Sequence, residues 1–261
     1  MNENTTPENL SKGSFVGAFL SVFSSLSLVK QYKLYVYFII PFLLNIVILS
    51  SIFYFSFTTF KPLIESLITG SGIIFDMLRF IINPLLLIIQ AIITIFVYSI
   101  IGNIVTAPFN DFLSQKVEVK AFGENFDEKL TLKSIIANII YVAGNLIKLL
   151  LLMAAAHILI FLFNFIPLFG NILYTVLGFL ITAFFFGFQF YDYPFERRRY
   201  TFGKKLKTAF RFIPQVLGVG VGFFLLSLIP VINFLGLNMA TIAATVMFSN
   251  CIKPVMAQNE P

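Results

Sequence analysis

Charge is what this sequence has least of. Of its 261 residues, 11% are Asp, Glu, Lys or Arg, against about 25% in an average soluble domain. With 58% of the chain hydrophobic, too few polar groups remain to cover a soluble surface. The single cysteine, Cys251, excludes an internal disulfide and any CxxC redox or zinc site, and is read as packing. The single histidine, His157, leaves no pair for a metal centre, so neither metal nor cofactor is expected. Walker A, HExxH and GxSxG patterns are all missing, which argues against an enzyme. Tryptophan is absent as well. Tyr32, Tyr35 and Tyr37 around the first long apolar run, and Tyr191, Tyr193 and Tyr200 around the end of the third, are expected to replace it at the headgroup level.

What the chain does have is uncharged length. No ionisable Asp, Glu, Lys, Arg or His occurs in 34–60, 80–110 or 158–191. A bilayer core about 30 Å thick is crossed by roughly 20 apolar helical residues, and each run exceeds that. The alternation of a transmembrane β-barrel strand does not appear. The reading is an all-α integral membrane protein forming one membrane domain over 1–261. An N-terminal interfacial helix occupies 11–30, with Phe15, Phe19, Val22, Phe23 and Leu26 on one stripe and its serines largely elsewhere. It lies in the interface or packs at the mouth of the bundle. Transmembrane helices follow at 34–59, with Pro41 expected to kink the first, and at 80–107, ended by Pro108. Residues 61–79 form a short loop between them. A water-exposed cytoplasmic segment at 111–133 holds a short helix and a loop around Gly123. Hairpin 1 spans 149–190 and breaks at Pro167. A basic segment fills 192–211, with Pro194 starting or ending a helix. Hairpin 2 spans 212–252 and breaks at Pro230. Asn171 and Asn233 are placed to satisfy backbone groups at the two tips. Length alone leaves open whether the hairpins span or re-enter.

The net charge of +6 sits in short connections, which suits anionic lipid headgroups and not nucleic acid. Segments 1–33, 111–148 and 192–211 with the C-terminus hold 16 of the 18 Lys and Arg. The positive-inside rule therefore places both termini in the cytoplasm of a multi-pass protein of the inner or plasma membrane. The polar N-terminus lacks the basic region and cleavage site of a secretory signal, so direct insertion without cleavage is expected.

Three motifs, in order, resemble one family: Gly102-Asn103-Ile104-Val105-Thr106-Ala107-Pro108-Phe109-Asn110, Gln189-Phe190-Tyr191-Asp192-Tyr193-Pro194-Phe195 and Leu228-Ile229-Pro230-Val231-Ile232-Asn233. With Leu28-Val29-x-Gln31 and Pro41-x-x-x-Asn45, the chain resembles the CysZ sulfate permease family, within the etoposide-induced-protein domain superfamily. The resemblance implies two long transmembrane helices, two helical hairpins that enter the membrane partway, homo-oligomeric assembly, and sulfate uptake for cysteine synthesis without ATP hydrolysis. The family's adjacent arginines before the first long helix align here with Tyr35 and Val36.

Candidate site residues follow from where polarity interrupts apolar sequence. Lys30, Lys33, Leu34 and Tyr35 lie where the interfacial helix turns into the first long helix; helix-start amides and two ammonium groups there suit a divalent oxyanion, or else the lysines anchor the helix to headgroups. Asn103 and Asn110 are pore candidates or interhelical hydrogen-bond partners. Lys148 either snorkels or acts in the pore. His157 is a neutral hydrogen-bonded core residue or a proton-linked gate. Asp192 and Glu196 precede Arg197, Arg198 and Arg199, as an ion-pair cluster or a cytoplasmic gate. Two functions remain open: a permease or channel for a small oxyanion, sulfate first, with membrane lipids around it; or a non-transporting scaffold or lipid-shaping protein of the same superfamily.

Overall fold

The computed structural model describes residues 14–67, 72–126 and 132–258. Its elements are α1 (Phe15–Gln31), α2 (Tyr35–Leu67), α3 (Ile73–Phe122), α4 (Leu132–Phe161), a 3₁₀ turn (Leu162–Phe165), α5 (Gly170–Arg197), α6 (Phe202–Arg211), α7 (Ile213–Ser227), α8 (Pro230–Met247), a π-helical turn (Phe248–Ile252) and α9 (Lys253–Ala257). Among the described residues five stretches are long and apolar enough to cross a bilayer: Tyr35–Thr59, Arg79–Tyr98, Gly144–Phe165, Gly170–Arg197 and Leu235–Ala257. The bent pair α6 and α7, at 92°, makes a sixth if counted as one span. The all-helical membrane architecture is as the sequence reads.

Two compact units arise. One is Leu43–Ala107; the other holds the described residues up to Phe42 and from Pro108 onward. The first is a helical hairpin turned inside out relative to a soluble protein. Tyr54, Phe80 and Phe96 are exposed, while Asn45, Ser56, Gln90, Thr94 and Tyr98 are buried. The Tyr98 hydroxyl donates to Asn45 Oδ1 at 2.8 Å. Polar groups facing hydrocarbon would lose water without replacement, so they turn inward.

In the second unit α7 packs against α1, α5 and α8. Glycines let the backbones approach. A Cβ on Gly220 would lie 1.7 Å from the Ala183 carbonyl oxygen, and one on Gly187 would lie 1.9 Å from that of Val216. On another face of α7, Gly218 and Gly222 receive α1: a Cβ on Gly218 would meet Phe15 O at 2.5 Å, and one on Gly222 would meet Val22 Cγ2 at 2.8 Å. This decides which face of α1 goes inward. Ala18, Ser21, Val22, Ser25, Leu28 and Val29 are buried, while Phe15, Phe23 and Leu26 are exposed. Of the apolar stripe, Phe15, Phe23 and Leu26 thus face outward and Val22 inward, and two serines face inward with it. Small residues fit against glycine; Ser21 and Ser25 spend their hydroxyls on Ala18 O and Val22 O, each at 2.6 Å. Helix α1 also packs on α8.

Several boundaries differ from expectation. Most of 61–79, read as a loop, is helix up to Leu67 and again from Ile73; 68–71 lie outside the described residues. Pro41 lies inside helix α2, as read. Pro108 does not end the second long helix, which continues to Phe122. Nor is 111–126 a freely exposed segment, since Leu113, Ser114, Gln115, Val117 and Glu118 are buried. A proline inside a helix costs about 3 kcal/mol, and here contacts beyond it offset that cost: Ser114 bonds Thr245 at 2.7 Å and Glu118 pairs with two arginines. The expected loop at Gly123 does form. Gly123 has φ +69°, and Glu124 N donates back to Glu118 O at 3.3 Å, a glycine-closed helix end.

Hairpin 1 begins earlier than read, at Leu132, and ends later, at Arg197. Pro194 therefore lies inside α5 and does not mark its boundary. The last turn is pinned by Phe195, which is fully buried, and by the ion pairs of Arg197. Both breaks fall where expected. At the first, Ile166 N bonds Phe163 O and Gly170 N bonds Ile166 O, so backbone does what was assigned to Asn171. At the second, Pro230 occupies the first turn of α8, where its missing N–H costs nothing. Asn233 Oδ1 there is buried and unpartnered among the described residues. Tyr191 and Tyr193, expected at the headgroups, are core residues.

Candidate polar site at the ends of α3, α5 and α8

On α3, Asp111, Ser114 and Glu118 are spaced i, i+3, i+7 and so share one face. Helix α5 ends against that face and delivers Arg197 and Arg198. Arg197 Nε donates to Glu118 Oε2 at 2.9 Å, its Nη1 bonds the Asp111 carbonyl oxygen at 3.1 Å and pairs with the Asp111 carboxylate, and its Nη2 reaches Ser114 Oγ. Arg198 pairs with the other Glu118 oxygen at 2.9 Å, donates to Pro194 O at 3.0 Å and stacks 4.4 Å from the Phe248 ring centroid. The Glu118 side chain is 0% exposed and that of Arg197 4%. Two guanidinium groups and two carboxylates thus balance. A charge buried here without its partner would cost several kcal/mol.

A second cluster lies one turn back along α5. Lys205 of α6, 2% exposed, sits 2.6 Å from Asp192 and 3.9 Å from Glu196. Near these ion pairs the core of this unit carries polar atoms with no partner among the described residues: Asn110 Oδ1, Gln115 Nε2, Tyr191 Oη and Asn238 Oδ1. Buried polar atoms of this kind are served by water or by a polar solute.

The predicted residues fall in four places. Asp192, Glu196 and Asn110 belong to this polar core. Lys30, Lys33 and Tyr35 are exposed at the α1–α2 turn, where Lys33 has φ +51°. Leu34 is different: it is 0% exposed and its amide is taken by Val29 O at 2.9 Å, so it packs and offers no donor. Lys148 is exposed on α4. His157 is half-buried, its Nδ1 2.9 Å from Met153 O and its Nε2 3.3 Å from Thr182 Oγ1. Lys148 and His157 remain apart along α4. Asn103 lies within α3, and its side chain falls outside the described residues.

The structure also brings in residues the sequence reading missed. Lys120 Nζ donates to Tyr32 O at 3.0 Å and Lys33 O at 3.3 Å. Lys116 lies 4.8 Å from the Phe112 ring centroid and 5.8 Å from that of Tyr37. The α1–α2 turn is therefore ringed by four lysines, two of them from α3. Glu118 and Lys205 were hidden among many charges; the i, i+3, i+7 spacing of Asp111, Ser114 and Glu118 was the available signal.

The sulfate transporter CysZ/etoposide-induced protein 2.4 family matches residues 21–237. Relatives named sulfate transporter CysZ include one from Pectobacterium atrosepticum, 27% identical over 79% of this chain and 75% of its own. Another, from Pseudomonas aeruginosa, is 25% identical over 85% of this chain and 90% of its own. A third, from Vibrio parahaemolyticus, is 26% identical over 80% and 85%.

Proposed function

From the premise that the chain belongs to the sulfate transporter CysZ/etoposide-induced protein 2.4 family, we propose that it is a membrane permease for sulfate or a closely related oxyanion, supplying cysteine synthesis. The observation that carries this reading is the lysine-ringed turn before α2. The first backbone amides of α2 have no intrahelical acceptor; the first such bond is Phe38 N to Leu34 O, at 3.0 Å. Partial positive charge at that helix start adds to the ammonium groups of Lys30, Lys33, Lys116 and Lys120. A divalent anion is attracted here without the arginine pair, whose places hold Tyr35 and Val36. Further in, the Arg197–Arg198 pair presents oxyanion-binding forks already filled by carboxylates. Glu118 and Asp111 act as the resting occupants that hold an anion path closed, and Asp192, Glu196 and Lys205 form its rim. Transport takes place in the inner or plasma membrane, with both termini cytoplasmic, and the working form is a homo-oligomer.

In proteoliposomes whose protein has its cytoplasmic face outward, Lys30→Gln with Lys33→Gln should lower radiolabelled sulfate influx by about tenfold at low ionic strength, because steering by two charges is lost. The deficit should shrink as salt screens the wild-type site. Normal insertion with unchanged influx would remove the turn as an anion site.

Orientation has its own test. In a Cys251→Ser background, cysteine placed at Met77, exposed on α3, should react with an impermeant maleimide from outside intact cells. Cysteine at Lys207 should react only after lysis. The reverse pattern would invert the topology.

A further inference from the structure

Between α4, α5, α6 and α7 lies a groove of about 330 Å³ whose lining is wholly apolar, at the small end of the roughly 300–1,000 Å³ of ligand-sized pockets. Ala156 of α4, Leu177 and Phe184 of α5, Leu206 and Phe210 of α6, and Leu217 of α7 are among its walls. The groove is open at the side: Leu180 is 40% exposed and Phe210 55%. Its mouth is crossed by α6, turned 92° from α7. That helix reads Phe202-Gly203-Lys204-Lys205-Leu206-Lys207-Thr208-Ala209-Phe210-Arg211, with four cations and no acid. Lys205 is used by Asp192 and Glu196, and Lys204 lies over the Tyr200 ring at 4.1 Å. Lys207 and Arg211 are exposed, one turn apart, and adjoin the groove residues Leu206 and Phe210. Among the described residues no carboxylate pairs with either.

We propose that this groove holds one acyl chain of an anionic phospholipid whose phosphate sits on Lys207 and Arg211. The two halves of such a lipid match the two halves of the site. The apolar slot takes a hydrocarbon chain and can use no polar solute. The cation pair at its end takes a phosphate, and because α6 lies across the bundle and not along it, both cations stand at one level. A zwitterionic phospholipid offers the same chain and phosphate but brings its own ammonium, which competes with the lysine and arginine. The site therefore distinguishes lipids by headgroup charge. It also ties α6, and through Lys205 the carboxylates of Asp192 and Glu196, to the composition of the leaflet.

The absence of tryptophan makes the test direct. Leu177→Trp places a single fluorophore in the groove, and Ile92→Trp places one on the exposed face of the separate helical hairpin. Each variant is reconstituted in phosphatidylcholine bilayers with a minor fraction of either brominated phosphatidylglycerol or brominated phosphatidylcholine. A basic residue near the surface favours an anionic lipid by roughly fivefold. Brominated phosphatidylglycerol should therefore quench the Leu177→Trp signal several-fold more strongly than brominated phosphatidylcholine, while the Ile92→Trp signal is quenched equally by both. Lys207→Gln with Arg211→Gln, both surface changes, should abolish the preference at Leu177→Trp and leave quenching by bulk lipid. Equal quenching by the two lipids in the unsubstituted α6 would overturn the proposal. So would no quenching by either lipid, since the groove would then be covered by protein such as a second copy of the chain.

Discussion

Arg197→Gln is expected to destabilise the purified protein by about 3–5 kcal/mol, the loss typical when one partner of a buried ion pair is removed. The substitution removes one of the two guanidinium partners of Glu118, which has no exposed surface and keeps only Arg198, and takes from Asp111 its guanidinium partner. Glu118→Gln should cost less, because Arg197 keeps Asp111 and Arg198 retains the Pro194 carbonyl and the Phe248 ring. Since the two residues share one contact, their effects should not add. The Arg197→Gln, Glu118→Gln double variant should be more stable than the sum predicts, with a coupling of about 1–3 kcal/mol. Thermal unfolding of the four proteins in one detergent measures this. Strict additivity would mean the pair is solvated in the native state and the network holds nothing. The same variants bear on transport: if Glu118 keeps the guanidinium forks occupied, Glu118→Gln should raise sulfate leak in proteoliposomes even as stability falls.

A comparable loss is expected at the α5–α7 crossing from Gly220→Val. Inserting methylenes into a well-packed core costs about 1–3 kcal/mol when side chains can give way. Here the obstruction is backbone: the new Cβ would lie 1.7 Å from Ala183 O and 2.9 Å from Gly187 N. The helices must separate, and contacts along α5 and α7 weaken together, so the cost should reach or exceed the top of that range. Gly203→Val is the control, because a Cβ there meets nothing within 4 Å; it should change the thermal midpoint little. Equal shifts for the two would show that helix propensity, and not close approach, sets the effect. Because α7 also seats α1 through Gly218 and Gly222, the Gly220 variant should loosen the N-terminal helix too, read as faster proteolysis near Ser14.

The sequence by itself determined that this is a helical membrane protein, where its apolar spans lie, and where its hairpins break, because desolvation of charge and of bare backbone leaves a long uncharged chain few alternatives. It also determined the family, through motifs set in order along the chain. It could not determine where helices end at proline. Pro108 and Pro194 both sit inside helices because contacts beyond them, Ser114 to Thr245 and Arg197 to Glu118, outweigh a local preference. Nor could it sort the charges. Among the nine ionisable residues in 111–133, the spacing of Asp111, Ser114 and Glu118 gives a shared face and not its burial; only placement against the end of α5 makes Glu118 the buried counter-ion. Nor could it choose the inward face of α1. Hydrophobicity pointed to its phenylalanines, but the glycines of α7, some 200 residues away in sequence, accept small residues and leave the large ones to lipid. Partner identity across long sequence separation is a property of the packed chain, and it was the tertiary structure that supplied Lys116 and Lys120 to the α1–α2 turn and Lys205 to Asp192 and Glu196.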